Sequence, residues 1–429
     1  GSSRGSTRAC SRTWTEVAEL LSSVLGDPEG DSGLGFGRRA FLKLGAAGLI
    51  AAAGGSVWWA RQRGVFGVGA GPAYEPWEAF SGLLEGEWSG DPGLAMATGA
   101  VLAASPHNSQ PWVLRLEPGR IEILADLARN LGPVDPFLRE LFMAQGCALE
   151  NLEVTAAGIG VPVSVAILPD PDDLRLAAVA TWDPEEVEAR ADADPAFRAI
   201  PHRRTDRGPY DVGRRVPEGL LEEWVGLAAR EEGVTLRWIR EGEEKRRFGD
   251  LIIEATEAAV LDRESGEVTA RWLRTDPVEI QRERDGLTLD GQGLGALTVA
   301  LVKMLPGPSR TRMEEGWLEA TRDLQVPTAD LFGVLAVEDP DDRRAQIATG
   351  RAWQRIHLAA TASGVSLHPM NQIPERVGRE QALGVEPSFG PALEAWVPGR
   401  SGLLCFRAGY GSKPTPPSPR RGASQVLVG

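Results

Sequence analysis

The sequence predicts a mixed α+β fold made of two copies of one unit, packed face to face in a single chain. Three observations predict it. A small-residue helical pattern recurs 204 positions later with its glycine stop. A polar turn motif precedes a strand-like run in the first half only. An arginine cluster opens the second half only.

The chain has 429 residues, of which 42% are hydrophobic, enough for a sizeable core and roughly two domains. Its net charge of −14 argues against nucleic acid, which requires a basic face. Residues 1–73 read as a leader. Within it, Arg38-Arg39-Ala40-Phe41-Leu42-Lys43 precedes a Gly/Ala-rich apolar run from Leu44 to Ala60, as in a twin-arginine export signal. That run is short for a membrane span. Val68-Gly69-Ala70 offers small residues for cleavage, although Arg61 and Arg63 precede them, so an uncleaved anchor stays open. The expected location is across the cytoplasmic membrane, reached through the twin-arginine machinery.

The globular part is expected from Tyr74, with a first repeat over 74–198 and a second over 199–429. In the first repeat Leu102-Ala103-Ala104 leads into Ser105-Pro106-His107-Asn108-Ser109-Gln110-Pro111-Trp112 and then an apolar strand-like run. Amides and hydroxyls of this kind suit the edge of a heteroaromatic ring. Next comes the recurring pattern. Ala144, Gly146, Ala148, Ala156, Gly160 and Val161 fall without gaps on Ala348, Gly350, Ala352, Ala360, Gly364 and Val365. Helical apolar spacing, small residues and a glycine stop predict two central, buried helices that other backbone approaches closely.

The second repeat opens with Arg203-Arg204-Thr205-Asp206-Arg207. Guanidinium forks beside a hydroxyl suit a phosphate, together with Arg420 and Arg421 after the Pro-rich strap Lys413 to Pro419. Leu227-Ala228-Ala229 repeats the lead-in of the first half, but Arg230-Glu231-Glu232-Gly233 follows in place of the ring-edge motif. Each half thus keeps one part of a site. A ligand with a ring at one end and a phosphate at the other needs both parts, and FMN has that form. Residues 275–325 form a long insertion-like connection, which suits a lid or a helical hairpin packed on the core.

The same residues also suit ordinary structure. Ser, Pro and Asn are common in turns, and neighbouring arginines are common on surfaces. Trp112 reads as core and His357 as structural. His202 either joins the arginines or flanks them. Cys147 and Cys405 read as buried thiols more readily than as a bridge, and four histidines without paired spacing supply no metal set.

These motifs resemble the nitroreductase superfamily of FMN proteins, α+β homodimers with flavin at the subunit interface. Arg204-Thr205-Asp206-Arg207 is similar to its Arg-Ser-x-Arg-like element. Ser105 to Trp112 is similar to Ser-Pro-x-Asn-x-Gln-Pro-Trp. Gly350 to Gly364 is similar to the central helix, and Gly409-Tyr410-Gly411 with Arg420-Arg421 to the terminal element. The duplicated chain resembles the Acg-type branch of mycobacteria, in which one chain mimics the dimer and is then monomeric. The resemblance implies that Ser105, Asn108 and Gln110 meet the flavin ring and ribityl chain; His107 beside them suits proton donation near a flavin or a loop hydrogen bond. The resemblance also implies that Arg203, Arg204, Thr205, Arg207, Arg420 and Arg421 hold the phosphate, and it adds His368 and Asn371 facing the flavin. Hydride would pass from NADH or NADPH through FMN to a quinone, nitro compound or similar acceptor, with no catalytic side chain required. The alternative is a protein that binds or sequesters FMN behind a lid and turns over little. A cofactor-free scaffold is a third reading.

Overall fold

The computed structural model describes residues 61–428, apart from 63, 87–89, 185–193 and 305–307. The twin-arginine segment and Cys10 lie outside the described residues. The folded part begins before Tyr74. Val65 is buried, and the backbone at Ala70 and Ala73 is tied to the Gln281 amide at 2.9 Å in each direction.

Helices α1 (Glu75–Leu84) and α2 (Pro92–Ala100) lead into strands β1 (Trp112–Glu117) and β2 (Arg120–Ala125). Helix α3 (Arg139–Ile159), β3 (Ser164–Ile167) and β4 (Leu176–Thr181) complete the first half. The second half contributes β5 (Thr235–Ile239), β6 (Leu331–Val337), helix α4 (Arg343–Ala362), β7 (Ser366–Pro369) and β8 (Ser401–Gly409). One sheet has the order β9-β1-β2-β4-β3, where β9 (Leu427–Val428) comes from the C-terminal tail and pairs parallel with β1. The other has the order β5-β6-β8-β7 and is antiparallel throughout. The tail therefore crosses from the second sheet to finish the first.

The two long helices are built alike. Both end where the repeated glycine enters the left-handed region, at φ 78° for Gly160 and 69° for Gly364. Val161 then donates to Ala156 O at 2.9 Å, and Val365 to Ala360 O at 2.8 Å. These bonds satisfy carbonyls that a helix end leaves free. Helices α3 and α4 pack on one another. A Cβ on Gly146 would lie 2.0 Å from Ile347 O, and one on Gly350 would lie 1.9 Å from Met143 O. The contacts are reciprocal, because Gly146 and Met143 occupy the repeat positions of Gly350 and Ile347. Only glycine lets the backbones approach so closely. One hydrophobic core then runs through both halves, from Trp112 and Leu152 to Ile356 and Phe406. Cys147 and Cys405 are both buried and free.

Candidate functional site

The Ser105 turn is a strained piece of backbone. His107, Asn108 and Gln110 have φ of 49°, 54° and 52°. Non-glycine residues in this region cost of the order of 1–3 kcal/mol each and persist where their surroundings fix them. Ser105 Oγ accepts from Gln110 N at 3.0 Å and closes the turn. Trp112, directly after it, is fully buried in the core.

Arginines from two distant parts of the chain converge on this turn. Arg203 donates to Leu102 O at 3.2 Å and Arg420 to Ala103 O at 3.3 Å, both in the lead-in to the turn. Arg420 also donates to Asn108 Oδ1. Arg421 donates its backbone N–H to Gln110 Oε1 at 2.9 Å, and its guanidinium to Gln110 O. Arg204 stacks on Trp77 and gives its carbonyl to His357 Nε2 at 2.9 Å. Thr205 bridges to Leu367 at the edge of β7. None of Arg203, Arg204, Arg207, Arg420 and Arg421 has a carboxylate partner among the described residues. The Nε atoms of Arg203 and Arg420 are buried without a hydrogen-bond partner, and each residue is 2% exposed.

The electrostatics follow from this crowding. Burial pushes the Arg203 and Arg204 guanidinium pKa values down to about 10, and at Arg204 the charge of Arg203 adds to the effect. Burial, with Arg203 and Arg204, drives that of Arg420 well down. Burial also holds the His107 imidazole down at about 4, helped by Arg207. Asp206 acts on Arg207, and Asp126 and Asp285 on Arg421, without ion pairing, so the site keeps an excess of positive charge in a low-dielectric setting that an anion would stabilise.

His368 belongs to a neighbouring group. Its Nδ1 accepts from Arg407 Nε at 3.1 Å, and burial together with Arg407 and Arg207 keeps the ring neutral. Arg407 was not among the sequence-predicted residues. It is fully buried, donating to Asp206 O at 3.1 Å and Gly208 O at 2.7 Å, so it shapes the arginine loop. Its signal was an arginine inside the apolar run Leu403 to Ala408. Trp77 was also missed, and no local pattern pointed to it. His202 is exposed and flanks the cluster.

Asn371 departs from expectation. It donates to Glu140 and accepts from Cys405 N at 3.0 Å, tying the start of α3 to β8. It lines a separate cavity of about 540 Å³ with Asp135, Glu140, Asp341 and Glu375. Burial and Asp135 raise the Glu375 carboxyl to about 7. The carboxylates of this cavity oppose a phosphate.

Segment 275–325 is largely helical, with helices Pro277–Glu283, Ala296–Met304 and Arg310–Ala320. Its first loop lies on the Ser105 turn. Gly286 N donates to Asn108 O at 3.2 Å, and Asn108 Nδ2 donates to Gly286 O at 3.1 Å. Gln110 Nε2 donates to Arg284 O at 2.8 Å. Asp285 anchors the loop between Arg129 and Arg274, the latter at 2.8 Å.

Glu231, in the segment that replaces the Ser105 motif, pairs with Arg355 at 2.8 Å and Arg351 at 3.5 Å. Both arginines also bind Glu150. Glu150 and Gln354 are repeat mates. Gln354 accepts from Ala104 N at 3.1 Å beside the Ser105 turn, whereas Glu150 lies in the ion-pair network.

No family model matches the chain. Rv3131 of Mycobacterium tuberculosis, assigned as an NAD(P)H nitroreductase, is 30% identical over 342 residues, covering 76% of this chain and 88% of the relative. The chain belongs to the nitroreductase family. A second nitroreductase of that organism, acg, is 35% identical over 116 residues, covering 26% of this chain and 33% of its own. Among solved structures, the FMN-dependent nitroreductase NfnB of Mycobacterium smegmatis, in complex with NADPH, is 17% identical. It covers 54% of this nitroreductase and 95% of its own chain at a TM-score of 0.33. A Bacteroides fragilis nitroreductase with bound FMN is 14% identical, covering 51% and 89%, at a TM-score of 0.28.

Proposed function

We propose that this nitroreductase is an FMN-dependent oxidoreductase that takes hydride from NADH or NADPH and passes it to a quinone, nitro compound or similar small acceptor. One FMN per chain would sit between the two halves, which act as an intrachain pseudo-dimer. The carrying observation is the set of guanidiniums without carboxylate partners among the described residues, three of them (Arg203, Arg420 and Arg421) with buried Nε donors that have no hydrogen-bond partner, joined to the Ser105 turn by Arg420. That donor set fits a phosphate monoester. FMN, when bound, supplies the hydride chemistry. The protein's part is to bind and orient. Arg203, Arg204, Arg207 and Arg420 would hold the phosphate, and the strained turn would present Ser105, His107, Asn108 and Gln110 towards the ring and ribityl chain. With His107 neutral above about pH 4, it offers a hydrogen bond without adding charge.

The reciprocal glycine contact of α3 and α4 supports the pseudo-dimer. The Glu231 network supports a single cofactor, because its ion pairs stand where a second Ser105 turn would. The alternative, an FMN-sequestering protein with little turnover, is favoured by one observation. The loop of Arg284 and Gly286 already takes the amide donors of Asn108 and Gln110.

Titration with FMN and riboflavin tests the assignment. The expected result is one FMN per chain, with riboflavin weaker. Arg204→Ala removes a charge-assisted bond of about 1.5–3 kcal/mol, so FMN affinity falls about tenfold or more while riboflavin affinity holds. Two flavins per chain, or equal loss for both ligands, would refute it. Steady NADPH oxidation with a quinone separates the reductase from the sequestering protein.

A further inference from the structure

The arginine cluster raises a physical problem that the fold must solve. Buried guanidiniums usually have a carboxylate partner, because leaving charge unpaired away from water is costly. Here a carboxylate would also compete with an anionic ligand for the same donors. The structure places an aromatic ring at that position. Trp77, on α1 and 4% exposed, has the Arg204 guanidinium 4.3 Å from its ring centroid and that of Arg420 at 5.0 Å. Its Nε1 donates to Ser418 O at 2.8 Å, and Ser418 Oγ accepts from Arg420 at 2.8 Å. One indole therefore contacts an arginine from the start of the second repeat, an arginine from the C-terminal strap and the strap backbone. A π face attracts cations without offering a lone pair that neutralises them. It fixes where the guanidiniums point and leaves their charge for an anion.

We propose that Trp77 is the positioning residue that holds Arg204 and Arg420 as a clamp for the phosphate monoester of the flavin, and so sets the preference for the phosphorylated over the unphosphorylated ligand. The inference rests on the FMN reading above. Trp77 is also part of the core, and a purely packing role would predict equal effects on both ligands. The clamp predicts unequal ones.

The test measures affinities for FMN and riboflavin in the full chain, as wild type, Trp77→Phe and Trp77→Leu, with melting temperature recorded for each. Trp77→Phe keeps a π face and loses the bond to Ser418. Trp77→Leu keeps apolar bulk and loses the π face. The FMN-to-riboflavin affinity ratio is expected to fall about tenfold in Trp77→Leu and to stay within about threefold of wild type in Trp77→Phe. Riboflavin affinity itself should hardly move. Should Trp77→Leu fail to fold, Trp77→Met carries the same comparison. An unchanged ratio in the Leu or Met variant overturns the clamp, as does an equal fall in the Phe variant, which would assign the effect to the strap bond. A wild type that binds FMN and riboflavin alike overturns the phosphate site itself, an outcome separate from these.

Discussion

Histidine protonation gives the residue scale its clearest consequence. Burial, together with Arg207, holds the His107 pKa down at about 4, while an unfolded histidine titrates near ~6.5. The unfolded chain therefore binds the proton first as pH falls. The stability contributed by neutral His107 is complete above ~6.5 and is lost progressively towards pH 4, at up to ~1.4 kcal/mol per pH unit. His357 and His368 are lowered for the same reasons and act in the same direction. The urea midpoint should drop between pH 7 and pH 4.5, and His107→Gln should reduce that drop. Buried carboxyls raised by desolvation, such as Glu375, act oppositely, so the difference between wild type and variant carries the test. A variant with the same pH dependence as wild type would show that His107 titrates normally. The residues of this site differ in how visible they were in the sequence. Ser105, Asn108 and Gln110 stand in one short motif whose strained turn is local. Trp77 and Arg407 act through partners 127 and 39 positions away, Arg204 and His368 respectively, and no local pattern encodes such pairings.

At the scale of elements, the recurring glycines Gly146 and Gly350 mark close backbone approach in the sequence, and the geometry gives the reason. Close approach leaves no room for a Cβ, so it appears in composition. The strand partners did not appear in this way. That β9 pairs with β1 depends on the path of the tail across the molecule, and periodicity is silent about it. Segment 275–325 combines features that sequence alone does not separate. Most of the segment is helical, with helix Arg310–Ala320 packing on helix Gly242–Leu261, and one loop reaches the Ser105 turn. The glycine argument gives a sharp contrast. Gly350→Ala would set a methyl 1.9 Å from Met143 O, and backbone cannot swing aside, so a loss of about 1–3 kcal/mol or more is expected. Gly316→Ala, half-buried in helix Arg310–Ala320 with nothing within 4 Å of the added Cβ, should stabilise by about 0.5–1 kcal/mol. Chemical denaturation of the two variants checks both signs. A neutral Gly350→Ala would mean that α3 and α4 can separate without cost.

The whole molecule poses the question of access. At the proposed site the strap and the insertion both return to the Ser105 turn. The strap supplies Arg420 and Arg421, whereas the insertion supplies carbonyls at Arg284 and Gly286 that take up the turn's amides. These two visitors have opposite effects. The first adds donors for an anion, and the second caps the donors meant for a ring. What holds the second in place is a buried carboxylate, Asp285, bonded to Arg129 of the first half and Arg274 of the second. Removing one partner of a buried pair costs about 3–5 kcal/mol. That cost falls on the anchored loop, since neither arginine is among the assigned phosphate donors, although Arg129 and Asp285 both act on Arg421. Asp285→Asn, or trimming Asp285 to Gly295, should therefore free the mouth of the site while leaving the phosphate donors intact. Hydride transfer needs the donor and acceptor rings within about 3–3.5 Å, so a covered site meets a bulky nicotinamide slowly. Stopped-flow reduction by NADPH should accelerate in these variants, with FMN affinity and dithionite reduction little changed. Fast NADPH reduction of the unmodified protein would show that the loop moves freely, and that Asp285 serves the fold and exerts no control over access.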